Sequence, residues 1–446
     1  MTWSGSVAGM ARQWTQLGSR IRTTFNGQTK RQAGNGKLWA SQERLLSGAK
    51  TKAMVFGRVP ETLPTFRING EPVAWVNEHR YLGVNFTLSH ANIFKIHYGI
   101  KSKVAKKMVS ATFTLDKFLG DLPPREGLIL YNSRIDPHLT YGAEVAIDVS
   151  LNDVALLESV QHLYIRRLLH LYRHSMVDVL WSEMGMWPLA YRRIWFALRY
   201  LAKVLVLPEY RIPVWCVEAN VSLWTRQKPC WLGDIAVVLR RLGLPESQIS
   251  LEALTDAGQV VELINSLPVL IREKVRDVIE GSTKLPLMQN RIERLPRNGS
   301  SKSQWLFRAY HHIRIPAHRI AVTRLITSCH GLAVERGRWL KVVGTREPVP
   351  FQFRVCRLCR DSVEDELHVL FMCAEDELVR LRMEFLHEMW ATYPALKGRS
   401  STPLEMWHML LSYHDLLPRI GRYVHDVLQR VTTEELYIDP SINYTT

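Results

Sequence analysis

A mainly helical chain, with a small antiparallel sheet near its N-terminus and a small metal-bound module near its C-terminus, follows from three features of the sequence. Short β-branched and aromatic runs, broken by Gly, Pro and an Asn-Gly pair, concentrate between about residues 50 and 90. Apolar residues then recur at helical spacing through most of the remaining chain. Finally, Cys356-Arg357-Leu358-Cys359, then His368 and Cys373, spell C-x2-C-x8-H-x4-C, the ligand set and approximate spacing of a structural zinc site. The expected fold class is therefore mainly α, with a small N-terminal antiparallel β-sheet and a zinc-knuckle module.

Composition bounds the class. At 446 residues and 46% hydrophobic content the chain can bury real cores in two to four domains. A formal net charge of +16 favours a polyanionic partner, nucleic acid before an anionic membrane surface. Six cysteines, three of them in one ligand cluster, make no disulfide framework, and a reducing compartment follows. No run reaches the roughly 18 uninterrupted apolar residues of a membrane span; the nearest, 195–207, is cut by Arg199 and Lys203. The first 38 residues contain no acid, and Trp3, Val7, Met10, Trp14, Leu17 and Ile21 form one apolar helical stripe. That is the pattern of a mitochondrial transit peptide or, more simply, of a helix packed on the body of the protein, because Gly5, Gly9 and Gly18 weaken a free-standing helix.

In chain order, residues 1–36 form a basic segment of open status. Residues 53–56, 65–68, 73–76 and 81–86 read as strands, separated by Gly57, Pro60, Pro64 and Asn69-Gly70, the last a hairpin signal. In 94–119, Val104, Met108, Ala111, Leu115 and Phe118 make an apolar face, with Lys103, Lys106 and Lys107 on another. Such a triplet is a solvated face or, in a chain this basic, a phosphate track. Pro123-Pro124 opens a helix that Asp136-Pro137 breaks. Val154, Leu157, Tyr164, Leu168 and Leu171 form a buried stripe with Arg166-Arg167 projecting elsewhere, and a further helix, 189–206, carries Arg192-Arg193. Together 91–207 reads as a bundle of four or five helices. Residues 208–233, with Pro208, Pro213 and Pro229, read as a connection. A helix at 260–279, a basic loop through Arg291, Arg294, Arg297 and Lys302, and helical stretches on either side of Pro316 complete a basic segment, 208–345, that includes Arg324 and Arg338. Residues 346–376 hold the metal-binding stretch and 377–446 three closing helices.

A C-x2-C turn lets two thiolates converge on one ion, and tetrahedral zinc then needs two more donors. Ser362 followed by Asp365 is a capping-box pattern, and Val363, Leu367, Leu370 and Phe371 repeat at helical spacing, so a short helix should carry His368. Five residues on an ideal helix leave Cys373 about 140° away, so Cys373 should lie where the helix ends or loosens. The plain alternative is three buried thiols and a surface histidine. Glu364, Asp365 and Glu366 are expected to form an acidic edge, leaving nucleic acid to approach from Arg354, Arg357 and Arg360. Other constellations are weaker. His170 and His174 lack a third ligand, and Trp305, Phe307, Tyr310 and Trp339 suit core packing better than base stacking. No P-loop, G-x-S-x-G or G-x-G-x-x-G occurs, so no small-molecule substrate is indicated.

These stretches, in this order, resemble the C-terminal half of the protein encoded by a non-LTR (LINE-like) retrotransposon, the fungal type in particular. Lys50-Thr51-Lys52-Ala53-Met54-Val55-Phe56-Gly57 is similar to the motif after the polymerase active site, and Arg80-Tyr81-Leu82-Gly83-Val84 to the primer grip. Pro137 to Glu144 and Arg166-Arg167-Leu168-Leu169 resemble thumb motifs; Leu332 to Trp339 and Val363-Glu364-Asp365-Glu366-Leu367-His368 resemble the approach to and completion of the knuckle. The resemblance covers roughly residues 37–430. It implies a reverse-transcriptase palm remnant with primer grip at 37–90, a thumb-like domain at 91–207, a basic helical linker at 208–345 and the zinc knuckle at 346–376. The family makes DNA from an RNA template at a nicked chromosomal target, and its thumb, basic and zinc segments bind nucleic acid. With the charge pattern, this implies RNA or DNA contacts at Lys50, Tyr81, Leu82, Gly83, Lys103, Lys106, Lys107, Arg166, Arg167, Arg192, Arg193, Arg324 and Arg338. It also implies structural Zn2+ on Cys356, Cys359, His368 and Cys373, no membrane partner, and a nuclear or cytoplasmic location.

One departure limits the activity. Two-metal polymerisation needs clustered carboxylates, which the family supplies from an aromatic-Ala-Asp-Asp hairpin and an earlier Asp, both before the position of Lys50. Before Lys50 this sequence has one acid, Glu43, and no Asp, and Ser47 stands where the family usually has Asn. No Mg2+ site is evident and no catalytic residue is assigned. The expected function is that of a nucleic-acid-binding, catalytically incomplete remnant of an RNA-directed DNA polymerase. The alternatives are a truncated gene model of an active reverse transcriptase whose palm lies upstream, and a chain co-opted for mitochondrial or scaffolding use.

Overall fold

The structure is a computed structural model and describes residues 51–56, 62–68, 70–88, 92–291, 306–398 and 402–445. The expectations for residues 1–36, Lys50, Arg294, Arg297, Lys302 and Trp305 lie outside the described residues. The chain is mainly helical with small two-stranded sheets, as the pattern of apolar residues predicts.

Six short strands come first: β1 (Lys52–Ala53), β2 (Arg67–Ile68), β3 (Glu71–Pro72), β4 (Ala74–Trp75), β5 (Glu78–Tyr81) and β6 (Val84–Thr87). Strands β2 and β3 pair antiparallel across the Asn69-Gly70 position, with Ile68 opposite Glu71. Strands β1 and β4 pair in parallel, which the antiparallel expectation did not include. The run 81–86 is not one strand but the end of a second hairpin, β5 against β6, turned at Leu82-Gly83. Both turn residues have positive φ, +46° at Leu82 and +81° at Gly83, the two-residue turn whose twist matches its strands.

The longer helices follow as α1 (Lys95–Phe113), α2 (Pro124–Leu130), α3 (Leu151–Leu168), α4 (Val177–Met184), α5 (Leu189–Leu205) and α6 (Ile212–Thr225). After them come α7 (Trp231–Leu242), α8 (Ala257–Glu280), α9 (Pro316–Ile326), α10 (Asp376–Thr392), α11 (Pro403–Leu411) and α12 (Leu417–Thr433). Three prolines behave differently from expectation. Residues 208–233 are no bare connection, because Pro213 sits in the first turn of α6, where a missing N–H costs nothing. Pro316 likewise opens α9 rather than dividing two helices. Asp136-Pro137 does not end the helical path: the π-helical turn Tyr131–Ile135 precedes it, and Asp136–Thr140 continues as a helical turn. A wider turn offers room where the proline ring would meet the preceding carbonyls.

The chain divides into two compact units. The first comprises Met1–Met108, Asp136–Val160 and Leu189–Leu267. Its interior holds Arg193, which donates from Nε to both oxygens of Asp148 at 2.9 Å and from Nη1 to the Leu139 carbonyl at 2.6 Å. The Tyr98 hydroxyl donates to the same carboxylate at 2.6 Å. Arg193 is thus a core cation, neutralised on the spot. In the same unit the Tyr141 hydroxyl donates to the Leu82 carbonyl at 2.5 Å. His97 Nδ1 accepts from the Asn85 amide at 3.3 Å while its Nε2 faces the Tyr141 carbonyl at 2.9 Å. Burial holds that imidazole down at about 4, so it is neutral at pH 7 and ties the β5–β6 hairpin to the Tyr141-Gly142 turn.

The second unit comprises Val109–Ile135, Gln161–Pro188 and Pro268–Thr446. Here α9 and α12 bring Val322, Leu325, Ile326, Ile420, Val424 and Val427 into the core. Gly421 sets their approach, since a Cβ there would lie 3.1 Å from the His318 Cβ and the Ile313 Cδ1. A buried carboxylate, Glu183 on α4, accepts from Arg291 at 3.0 Å, Arg308 at 3.2 Å and the Tyr310 hydroxyl at 2.6 Å. It joins the two arginines that flank residues 292–305.

Candidate metal centre

Cys356, Cys359, His368 and Cys373 come together in the second unit, their ligand atoms all within 4.8 Å of one another, and this set could hold a metal ion. The Cys356 and Cys373 sulfurs are 3.9 Å apart, and Cys359 Sγ is 3.3 Å from His368 Nε2. Local backbone explains the convergence. The Cys356 amide donates to the Ser362 carbonyl at 2.8 Å, and the Arg360 amide to the Cys356 carbonyl at 3.0 Å, with Arg360 turned through φ +55°. That tight loop folds both cysteines of the C-x2-C to one side.

The second pair is set by a short helix, as expected, but by different chemistry. Its cap is Asp365 alone, whose carboxylate accepts from the His368 amide at 2.7 Å. Ser362, the expected cap, donates to Asp361 instead. His368–Met372 is π-helical, and the Cys373 amide closes it onto the His368 carbonyl at 2.7 Å. A π-turn spans i to i+5, which cancels most of the 140° that an α-helix would put between the two ligands. The loosening anticipated at Cys373 is therefore a wider turn beginning at His368. The turn is held outside by Arg382, which donates to the Phe371 carbonyl at 2.8 Å and to the Cys373 carbonyl. Hydrogen bonding from Cys373, then burial, pushes the Cys356 thiol up to about 12, while the same bond lowers Cys373.

The acidic run is not an edge. Glu364 and Glu366 are buried and spent on internal contacts. Glu364 accepts from the Ala333 amide at 2.7 Å, the Arg357 amide at 2.9 Å and the Arg357 guanidinium at 2.7 Å, while its own amide donates to the Arg354 carbonyl at 2.9 Å. Glu366 accepts from Ser328 at 3.0 Å and faces His330 Nε2 at 2.8 Å. Arg354 donates to the Val334 carbonyl at 2.8 Å and lies against Gly337, where a Cβ would come within 2.7 Å of its side chain. Of the three arginines expected to face nucleic acid, only Arg360 is exposed. Ala333, Val334 and Gly337 of the Leu332–Trp339 segment meet residues 354–364 through this network. Sequence reasoning missed it, although the alternation of Glu364 and Glu366 put both acids on one face.

The expected nucleic-acid residues are scattered. Tyr81 and Leu82, 63% and 76% exposed, form the hairpin tip with Gly83. Lys103, Lys106 and Lys107 are exposed on α1. Arg167 is half-exposed over the Phe113 ring, but Arg166 donates to Ser175 at 3.0 Å. Arg192 pairs with Asp136 at 2.8 Å, and Arg193, as described, is buried. Arg324 donates to the His170 carbonyl at 2.9 Å, and Arg338 to the Thr283 carbonyl at 3.1 Å. The chain matches no family model, no curated protein and no solved structure.

Proposed function

We propose that the chain is a nucleic-acid-binding, catalytically incomplete remnant of a non-LTR retrotransposon reverse transcriptase, with structural zinc on Cys356, Cys359, His368 and Cys373. Tetrahedral zinc, with Zn–S near 2.3 Å and Zn–N near 2.0 Å, needs sulfurs about 3.8 Å apart and sulfur to nitrogen about 3.5 Å. Separations of 3.9 Å and 3.3 Å fit that ion. Four protein donors fill its coordination, so its part is to hold the module together rather than to activate substrate.

The observation that carries the origin is a pairing of distant motifs. The tip Tyr81-Leu82-Gly83 meets Tyr141-Gly142, and Leu332 to Trp339 meets Val363 to His368. These are the stretches on which the resemblance rests, and mutual contact is what parts inherited as one machine retain. The exposed lysines of α1 supply cations for phosphate. Fluorescence anisotropy of the full chain on duplex DNA, at rising salt, tests the reading. The expected log-log slope is about −0.9 per phosphate neutralised; a slope near zero overturns it.

A further inference from the structure

We infer that a strip of rings and guanidinium groups on α5, α6 and the turn between them stacks the bases of single-stranded nucleic acid. The inference rests on the nucleic-acid reading above and names a site within it.

Helix α6 carries Ile212, Val214, Trp215, Val217, Val221 and Leu223, apolar residues distributed all round its axis, yet none of its residues is buried. A helix of that composition ordinarily lies in a core. Here Tyr210, Ile212 and Trp215 stay 71%, 68% and 54% exposed. The cations are interleaved with the rings. The Arg199 guanidinium lies 4.4 Å from the centroid of Trp195, and that of Arg211 lies 5.8 Å from Tyr210. Lys203, Arg226 and Lys228 are exposed as well, so five exposed cations, counting Arg199 and Arg211, stand against two exposed carboxylates, Glu209 and Glu218.

Flat rings beside guanidinium planes suit the faces of unpaired bases, and the surplus cations suit the phosphates between them. A duplex hides those faces. A membrane surface fits less well, because an interfacial helix segregates apolar and polar faces and α6 does not. None of Tyr210, Trp215 and Arg211 lies in a motif that carries the resemblance or on the exposed lysine face of α1.

The test compares Tyr210→Ala, Trp215→Ala and the double variant with the parent chain, on labelled oligo(dT), labelled oligo(U) and a blunt duplex. Each lost ring should weaken single-strand binding about tenfold, with Trp215→Phe retaining most of the affinity. Duplex affinity and melting temperature should be unchanged, since both rings are exposed. Single-strand affinity unchanged in the double variant overturns the inference, as does an equal loss on single strand and duplex. Loss confined to phosphatidylserine vesicles overturns it in favour of a lipid surface. A parent that binds neither strand nor duplex removes the underlying reading as well, an outcome distinct from these.

Discussion

Neutralising Glu183 should destabilise the second unit more than any surface substitution. Burial alone would push this carboxyl up, but Arg308, Arg291 and the Tyr310 hydroxyl override it and hold it at about 2, below the ordinary 4.5. A depressed folded-state value means the carboxylate stabilises the fold fully above about pH 4.5, progressively less as pH falls, and not at all below about 2. A shift of that size corresponds to about 3 kcal/mol. Glu183→Gln keeps the shape but removes the carboxylate that two buried guanidinium groups, both almost fully enclosed, share. Removing one partner from a buried ionic cluster costs about 3–5 kcal/mol, on the order of 10 °C for a unit of this size. Calorimetry of the full chain at pH 7 should show one transition lowered by that amount. The gap from the parent should narrow as pH drops from 4.5 towards 2, because the parent loses what the variant never had. Adding Arg308→Met should recover part of the loss, since one of the buried guanidinium groups that faced Glu183 goes with it. A Glu183→Gln transition within about 2 °C of the parent at pH 7, or a gap independent of pH, would refute the reasoning.

Three further substitutions probe the elements that carry the proposed function. His368→Ala or Cys373→Ser should take bound zinc from one per chain to none by elemental analysis, and residues 346–376 should lose amide protection, since a structural zinc contributes on the order of 10 kcal/mol to its module; unchanged metal content sinks the assignment. Gly83→Ala places a Cβ 2.5 Å from the Tyr141 hydroxyl at φ +81°, so it should cost about 1–3 kcal/mol in denaturant unfolding, and a cost near zero would mean that the hairpin tip is not anchored.

Periodicity read α3 well because its apolar stripe is long, but it misread α1: of the expected face Ala111 is exposed, as are Leu115 and Phe118 beyond the helix end, and Tyr98, Ala105, Val109 and Phe113 are buried instead. Val154, Leu157, Tyr164 and Leu168 are all buried on α3, as their spacing requires. It failed at prolines, whose effect depends on position within a turn rather than on presence: Pro213, expected in a connection, and Pro316, expected between two helical stretches, both sit in the first turn of a helix. The ligand set of the candidate metal site was legible because thiolates and imidazole at close spacing have few other uses. Its geometry was not, because a π-turn depends on the carbonyls held by Arg382 and by the Tyr423 hydroxyl, which donates to the Leu370 carbonyl. Neither partner has any sequence signal pointing at His368.

The charged residues divide by chemistry rather than by motif. The lysine triplet of α1 stayed on the surface, where its strongly hydrated ammonium groups belong. The arginine doublets did not stay together. Neighbours on a helix point about 100° apart, so a helix half-covered by core sends one member of a doublet inward, and arginine tolerates that when a carboxylate and several carbonyls meet its planar fork. Arg193 found Asp148, and Arg192 beside it remained near solvent with Asp136. The same logic took Arg354 and Arg357 out of the knuckle's surface and gave them to the Val349 carbonyl and Glu364. A net charge of +16 therefore overstates the cations available to a polyanion, since many arginines are consumed in holding the fold. Affinity for nucleic acid should track the lysines of α1 and the exposed arginines beside aromatic rings, Arg199 and Arg211 among them, rather than the basic doublets that the sequence displays most plainly.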